Sequence, residues 1–216
     1  MRNLFAAVLA GVFLLAPSGF ARAQTAGSPD VLIQTSLGDI TVALDRAHAP
    51  KTVDNFLRYA SEGHYDGTLV YRVVPGFVIQ AGSYDSATNT RPVHDPIPLE
   101  AGNGLSNVRG AIAMARESDP NSATAEFFID LADNPRLDRL PDDGDGTTGY
   151  AVFGHVVTGM EVVDKIAAVP LGPGGPMPGA WPVDPVKIEK VSIIAGAPSG
   201  NSPATMLPAA PSIPNP

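Results

Sequence analysis

The 216-residue chain has 14 Lys or Arg and 22 Asp or Glu, giving a formal net charge of −8, and 44% of its residues are hydrophobic. This composition suits a globular domain with its own core and argues against a nucleic-acid binder, which would present a basic face to the phosphates. The chain contains no cysteine, which excludes disulfides, thiolate nucleophiles, zinc fingers and iron–sulfur clusters.

The N-terminus has the pattern of an export signal. Arg2 precedes an apolar run over residues 4–16, which is too short to span a bilayer, and residues 21–23 (ARA) offer the small residues that signal peptidase accepts. We predict a signal peptide over 1–23, cleaved after Ala23, and a periplasmic protein; an uncleaved anchor is the less favoured alternative. Cleavage removes two arginines and leaves 12 basic against 22 acidic residues, a net charge of −10. No later segment is apolar for long enough to cross a membrane.

Prolines mark the limits of the folded part. Six of the 22 lie within 170–185 and six more within 196–216. The terminal segment has no hydrophobic periodicity and no charge, so we predict a disordered, Pro-rich tail over 196–216. The inner segment is predicted to be a loop, because a strand pattern resumes at Val186. The predicted organisation is a linker over 24–30 and one folded domain over 31–195.

In chain order, strand patterns dominate the domain. Alternating apolar residues predict a hairpin with strands at 31–35 and 40–44, joined by a turn over 36–39. Further short apolar runs between turn residues predict strands at 69–73, 77–81, 111–115, 127–131, 150–157 and 186–191. Helical periodicity predicts helices over 50–61 and 160–168, the second begun by a capping box of Thr158 and Glu161. The predicted fold is mainly β: a closed eight-stranded antiparallel barrel capped by two short α-helices.

Most common catalytic motifs are absent from the sequence. There is no G-x-S-x-G elbow, no Walker loop and no G-x-G-x-x-G fingerprint. The four histidines are isolated, and no two have the spacing of metal ligands. Residues 142–146 (DDGDG) lack the alternating carboxylates and the distal Glu of a calcium loop, and we interpret them as a solvated acidic loop. No metal site and no cofactor are predicted.

The most informative segment is residues 71–82, YRVVPGFVIQAG, where two strands flank a Pro-Gly turn. Strict alternation predicts that Phe77 shares a face with Ile79, opposite Gln80. A fixed arginine, Arg72, beside an aromatic side chain would suit the binding of a peptide that contains an apolar ring. The structural alternative is a salt bridge from Arg72 at the barrel rim, with Phe77 in the core.

This segment resembles the signature of the cyclophilin-type peptidyl-prolyl cis–trans isomerases, where an aromatic or His and Arg-Val precede Pro-Gly-Phe, an apolar residue and Gln. The resemblance continues in order through 109–115 (RGAIAMA), 126–129 (EFFI), 137–138 (LD) and 150–164 (YAVFGHVVTGMEVVD), and covers essentially all of 31–194. It implies the same barrel with two helices. It also implies an isomerase of X–Pro bonds that needs no cofactor, with proline-containing unfolded or flexible polypeptides as partners.

The resemblance also implies roles for individual residues. Arg72 matches the catalytic arginine, which donates a hydrogen bond toward the prolyl nitrogen in the twisted transition state. Residues that hold the proline ring or orient this arginine are matched by Phe77, Gln80 and Phe128. The remaining matches are to substrate-binding positions: Tyr71, Val78, Ala115, Arg116, Glu126, Leu137 and Tyr150.

Some of these positions depart from the family pattern. Glu126 replaces a Gln, and its carboxylate is expected either to pair with Arg72 or to compete with the substrate for it. Arg136 replaces an aromatic residue, so we expect the pocket to lose one wall and affinity for the macrocyclic inhibitor cyclosporin to be affected. Tyr150 stands at the position of a family His, and Tyr71 stands where many members have His.

Two alternatives stay open at this point. The first is a non-catalytic peptide-binding or chaperone module that keeps the barrel but has diverged at Glu126 and Arg136. The second is a barrel that holds a small ligand inside, against which the large inward residues Phe127 and Phe153 count. Retention of Arg72 favours the isomerase. No oligomer interface is visible in the sequence, so we expect a monomer.

Overall fold

The computed structural model describes residues 28–141, 144 and 147–194. The predicted signal peptide, the Pro-rich tail and most of the acidic loop lie outside these residues. The first strand begins at Asp30, and Ser28 Oγ accepts a hydrogen bond of 2.9 Å from the Arg46 N–H. The folded domain therefore includes the last residues of the predicted linker.

Eight strands form one antiparallel sheet. They are β1 (Asp30–Thr35), β2 (Gly38–Leu44), β3 (Thr68–Val74), β4 (Val78–Asp85), β5 (Ala111–Met114), β6 (Phe127–Asp130), β7 (Val152–Thr158) and, after two short strands described below, β10 (Ile188–Ile194). Their order is β10-β1-β2-β7-β5-β6-β4-β3, so β10 and β3 are the edges. All eight strands correspond to predicted ones, with small shifts at their ends.

The two edge strands approach each other without completing a ladder. An isolated bridge joins Leu69 to Lys187, and the Val70 N–H donates to the Val186 carbonyl at 2.9 Å. The Gly67 N–H donates to the Ile188 carbonyl at 2.7 Å. The barrel is therefore nearly closed, which corrects the prediction of full closure. The mainly β, eight-stranded architecture is confirmed.

Helix α1 (Pro50–Ser61) has the predicted bounds. Its buried face includes Val53 and Phe56, and the Phe56 ring stacks on Tyr65 with centroids 4.9 Å apart. Helix α2 (Met160–Ala167) buries Val162, Val163 and Ile166 as predicted. Neither of these described helices has the length and apolarity needed to cross a membrane.

The predicted capping box of α2 is wrong. Thr158 is the last residue of β7 and pairs with Thr41, and the N-cap is Gly159, which makes no side-chain cap. Gly159 has a φ of 91°, and a Cβ at this position would overlap the carbonyl oxygen of Asp39. Only glycine makes this turn without strain, so the strand runs directly into the helix through a left-handed residue.

The Pro-rich inner segment is more ordered than a plain loop. It contains a two-stranded ribbon, β8 (Leu171–Gly172) and β9 (Trp181–Pro182). Trp181 is 8% exposed and packs with Leu69 and Tyr71 on the outside of the barrel. Hydrophobic burial of this tryptophan attaches the segment to β3.

The barrel interior is filled by side chains. Phe127 and Phe153 are buried there beside Ile112 and Ile129. The apolar-lined space left among the described core residues measures about 10 Å³, enough for one water molecule at most. This packing contradicts the alternative of a barrel that holds a ligand inside, and any binding site must lie on the outer surface.

Candidate active site

The strand register aligns several predicted site residues in one row. Arg72 of β3 pairs with Gln80 of β4, and Gln80 pairs with Phe128 of β6, which in turn pairs with Ala113 of β5. Paired residues of antiparallel strands point to the same face, so the four side chains lie side by side. Ile79, next to Gln80, belongs to the interior core. The row therefore faces outward.

A recess of about 150 Å³ lies over this row. Nine of the predicted residues line it: Arg72, Phe77, Val78, Gln80, Ala115, Arg116, Phe128, Leu137 and Tyr150. Its floor is apolar, since Val78 is 2% and Phe128 5% exposed, and the rings of Phe128 and Tyr150 meet edge to face with centroids 5.5 Å apart. An apolar floor with a few polar groups at its margin is the usual construction of a small-ligand pocket.

Phe77 belongs to this recess and not to the core face of Ile79. Strand β4 begins at Val78, and the Phe77 N–H donates to the Val74 carbonyl at 2.9 Å in the turn before it, so strand alternation does not reach Phe77. The Phe77 carbonyl accepts hydrogen bonds from Leu131 N at 2.9 Å and from Asn134 Nδ2 at 3.0 Å. These bonds fix the residue that forms one wall of the recess.

Arg72 is held through a relay of side chains. Its Nη1 donates to Gln80 Oε1 at 3.0 Å, and Gln80 Nε2 donates to Glu126 Oε2 at 3.0 Å. A carboxylate only accepts hydrogen bonds, so the Gln80 amide must turn its NH₂ toward Glu126 and its oxygen toward Arg72. In the described part of the chain Glu126 makes no ion pair with Arg72. The expected direct pairing is therefore not observed, and the carboxylate reaches the arginine only through Gln80.

Two further residues complete the relay behind the recess. The Tyr71 hydroxyl donates to Glu126 Oε2 at 2.8 Å and accepts from Gln80 Nε2 at 2.5 Å, and the Ser83 hydroxyl donates to Glu126 Oε1. Burial, followed by the nearby Glu126 charge, raises the pKa of Tyr71, so its hydroxyl stays protonated. Tyr71 and Glu126, both predicted to bind substrate, do not line the recess and lie behind it. Ser83 was missed, because a lone serine in a strand gives no sequence signal.

Arg136 does not line the recess itself but lies on the ring of Phe77. Its Cζ lies 4.2 Å from the centroid of the Phe77 ring, and Arg72 Cζ lies 5.9 Å from the same centroid. A planar guanidinium group stacks well on an aromatic face. The arginine therefore packs on Phe77, which is itself a wall of the recess.

Arg116 is fixed at the margin of the recess by backbone carbonyls. Its Nε donates to the Gly149 carbonyl at 3.0 Å and its Nη1 to the Glu117 carbonyl at 2.9 Å. Its Nη2 donates to the Thr147 carbonyl at 3.3 Å, and its Cζ lies 5.0 Å from the centroid of the Tyr150 ring. Among the described residues, its hydrogen-bond partners are neutral carbonyl groups and no carboxylate pairs with it.

A buried polar network supports the wall formed by Phe77 and Leu137. Asn134 Nδ2 donates to Asp130 Oδ1 at 2.7 Å, and Asn107 donates to Asp138 Oδ1 from both its backbone N–H and its Nδ2 at 2.7 Å. Burial, reinforced by the neighbouring carboxylates, raises the pKa of Asp130 to about 7. The side-chain oxygens Asn107 Oδ1 and Asp130 Oδ2 are buried and have no hydrogen-bond partner among the residues that the structure describes.

The described residues contain no group of three or more His, Asp or Glu side chains arranged to hold a metal ion. Three of the histidines bond instead to nearby protein groups: His48 to Asp45, His64 to the Gly82 carbonyl and His94 to Glu62.

Comparisons with known proteins agree on one family. The family model described as cyclophilin type peptidyl-prolyl cis-trans isomerase/CLD matches residues 30–193. Peptidyl-prolyl cis-trans isomerase A of Dickeya dadantii is 44% identical over 193 residues, which cover 89% of this chain and 98% of the relative. Peptidyl-prolyl cis-trans isomerase B of Escherichia coli is 44% identical over 163 residues, or 76% of this chain and 98% of its own length. A crystal structure of a Cryptosporidium parvum cyclophilin type isomerase, obtained in the presence of the dipeptide Ala-Pro, superposes with a TM-score of 0.65 at 25% identity and covers 77% of this chain and 99% of its own.

Proposed function

The chain belongs to the cyclophilin-type peptidyl-prolyl cis–trans isomerases, and we propose that it accelerates rotation about X–Pro bonds of exported polypeptides at the recess beside Arg72. Its relatives carry the name of this activity, and the chain is an isomerase of this class. The observation that carries the assignment of the site is the juxtaposition of Arg72 with the apolar floor of Val78 and Phe128.

The main requirement for catalysis of X–Pro rotation is a correctly positioned hydrogen-bond donor. Amide resonance sets a rotational barrier of about 18–20 kcal/mol, and no bond forms or breaks during rotation. As the bond twists, the prolyl nitrogen loses conjugation and becomes a better hydrogen-bond acceptor. A guanidinium N–H from Arg72 would meet that lone pair only in the twisted state, so it would stabilise the transition state more than the substrate.

The hydrogen-bonded side chains behind Arg72 hold its guanidinium group in position. Gln80 occupies one N–H of the guanidinium group and holds its plane, while the other N–H groups stay available to the substrate. The apolar floor removes water from the bond, which strengthens any hydrogen bond made there. In the proposal the proline ring occupies the floor, and Ala115 and Arg116 contact the residues that precede it.

No observation favours the non-catalytic alternative. A binding module would need the apolar floor but would have no use for a chain of oriented donors that ends at Arg72. The structure retains both features, and the divergent Glu126 supports the relay by accepting from Gln80.

Isomerisation of an Ala-Pro peptide, followed by exchange NMR, tests the proposal. The Arg72→Ala variant should lose about 10²–10³-fold in kcat/KM, the range for removal of one preorganised donor. The kcat/KM of Arg72→Lys should lie between those of wild type and Arg72→Ala, because an ammonium group keeps the charge but lacks the forked guanidinium that engages Gln80. Arg46→Ala serves as the matched control, because Arg46 is an exposed arginine paired with Asp54. Equal rates for wild type and Arg72→Ala would contradict the proposed mechanism.

Export forms the second part of the proposal and is supported by the sequence of the first 23 residues. Intact mass and N-terminal sequencing of the protein from a periplasmic fraction should show a chain that begins at Gln24. A different first residue would correct the cleavage site. A full-length chain found only in the cytoplasmic fraction would refute export.

A further inference from the structure

Three arginines surround the recess. Arg72 and Arg116 belong to its lining, and Arg136 stacks on the Phe77 ring that forms its wall. The lining contains no carboxylate. In a chain of net charge −8, such a concentration of positive charge at one site is not expected from composition alone.

These charges are not neutralised by ion pairs. Within the described residues none of the three guanidinium groups lies within salt-bridge distance of a carboxylate, although Arg46, Arg58 and Arg109 each form one elsewhere. Arg116 is bound by carbonyl groups and Arg72 by an amide, while Arg136 rests on an aromatic ring.

Two carboxylates close to the recess accept hydrogen bonds from neutral groups. Glu126 accepts hydrogen bonds behind Gln80, from Tyr71, Gln80 and Ser83. Asp138 accepts two hydrogen bonds from Asn107. Neither side chain lines the recess, so among the described lining residues no carboxylate offsets the charge of Arg72 and Arg116.

We propose that the site prefers proline-containing segments that carry an acidic side chain next to the proline. This inference rests on the proposed isomerase site and names its substrate class. A carboxylate on the residue before or after proline would lie among the three guanidinium groups when the ring occupies the apolar floor. Charges at a partly exposed site attract a ligand modestly and lose that attraction in salt.

Matched peptides test the preference directly. In acetyl-Ala-Xaa-Pro-Ala-amide and acetyl-Ala-Ala-Pro-Xaa-amide, Xaa is Glu, Gln or Lys, and exchange NMR gives kcat/KM for each. In at least one series, kcat/KM for the Glu peptide should exceed that for the Gln peptide by about two- to five-fold, which is the range expected for an exposed ion pair. The Lys peptide should have the lowest kcat/KM. In ~1 M salt, where the screening length is about 3 Å, the ratio should approach one.

Variants of Arg136 identify the source of the preference. Arg136 is exposed, and it is the one of the three that neither donates to the relay nor holds backbone carbonyls in the described structure. Arg136→Gln should reduce the Glu-to-Gln ratio, while Arg136→Lys should restore most of it. Arg46→Gln, which removes the same charge at a distant exposed position, should leave the ratio at its wild-type value.

The outcomes separate the two proposals. If no peptide is accelerated, or if Arg72→Ala is as fast as wild type, the isomerase site itself is wrong. If all peptides are accelerated equally in both series, the isomerase site is supported and the acidic preference is refuted. A Glu preference that survives Arg136→Gln unchanged, or that disappears equally in Arg46→Gln, would also overturn the assignment to these arginines.

Discussion

Replacing Asp130 with asparagine tests the buried network behind the recess. Asp130 is 0% exposed, its Oδ1 accepts from Asn134 and its Oδ2 has no partner. Burial raises its pKa from 3.8 to about 7, Asp138 and Asp133 add to the rise, and the hydrogen bond from Asn134 opposes it. An asparagine has nearly the same shape, stays neutral at every pH and can keep the bond from Asn134.

The sign and size of the effect follow from proton linkage. Between pH 3.8 and about 7 the folded protein holds a proton on Asp130 that the unfolded chain has already lost. Stability therefore falls as pH rises through this window, by about 1.4 kcal/mol per pH unit and roughly 4 kcal/mol in total. The Asp130→Asn variant lacks this loss. Its stability relative to wild type should increase by roughly 2 kcal/mol between pH 5 and pH 7, and then level off above about pH 8.

Urea unfolding at half-unit steps from pH 5 to pH 8, followed by Trp181 fluorescence and circular dichroism, measures this difference. Groups whose pKa is lowered in the folded state, such as Glu62 and Asp85, titrate in both proteins and cancel. Asp54→Asn removes a carboxylate that is 59% exposed and should show no comparable slope. A difference between Asp130→Asn and wild type that stays constant across the range would refute the reasoning.

Two further predictions concern the relay and the turn before α2. Glu126→Gln should lower kcat/KM about five-fold, since the Gln80 amide then loses a charged acceptor worth about 1 kcal/mol more than a neutral one; a rise in rate would instead mark Glu126 as a competitor for Arg72. Gly159→Ala should cost roughly 2–3 kcal/mol of stability in thermal unfolding, because its φ of 91° and the Asp39 carbonyl leave no room for a Cβ, and an unchanged Tm would contradict this account.

Sequence patterns predict an element well when its own residues determine it. Helix α1 has the predicted bounds because Pro50 fixes its first turn and the apolar stripe ends before Gly63. The same method failed at Thr158, since a residue suited to an N-cap was already bound in the ladder with Thr41. Phe77 was assigned to the wrong face for a similar reason: alternation holds within a strand, and the strand begins one residue later.

The lining of the recess was predicted through family resemblance, and the register explains why those positions belong together. Arg72, Gln80 and Phe128 are far apart in sequence, yet the pairing of β3, β4 and β6 makes them neighbours. From the strand patterns alone, the binding site could lie on either the inner or the outer face of the barrel. The filled interior decides between them, because a barrel packed with Phe127 and Phe153 can bind a ligand only outside.

Contacts between long side chains could not be predicted, and they set the electrostatics of the site. The sequence placed the Glu126 carboxylate near Arg72, but whether the two pair directly depends on side-chain reach and on the position of Gln80 between them. Arg136, predicted to remove one aromatic wall, lies outside the lining and stacks on Phe77, a contact that its sequence position does not indicate. Net charge is a sum over the whole surface, so a chain of charge −8 can still present an opening lined by arginines. The potential that a substrate meets is determined by which charges the relay and the backbone leave unpaired.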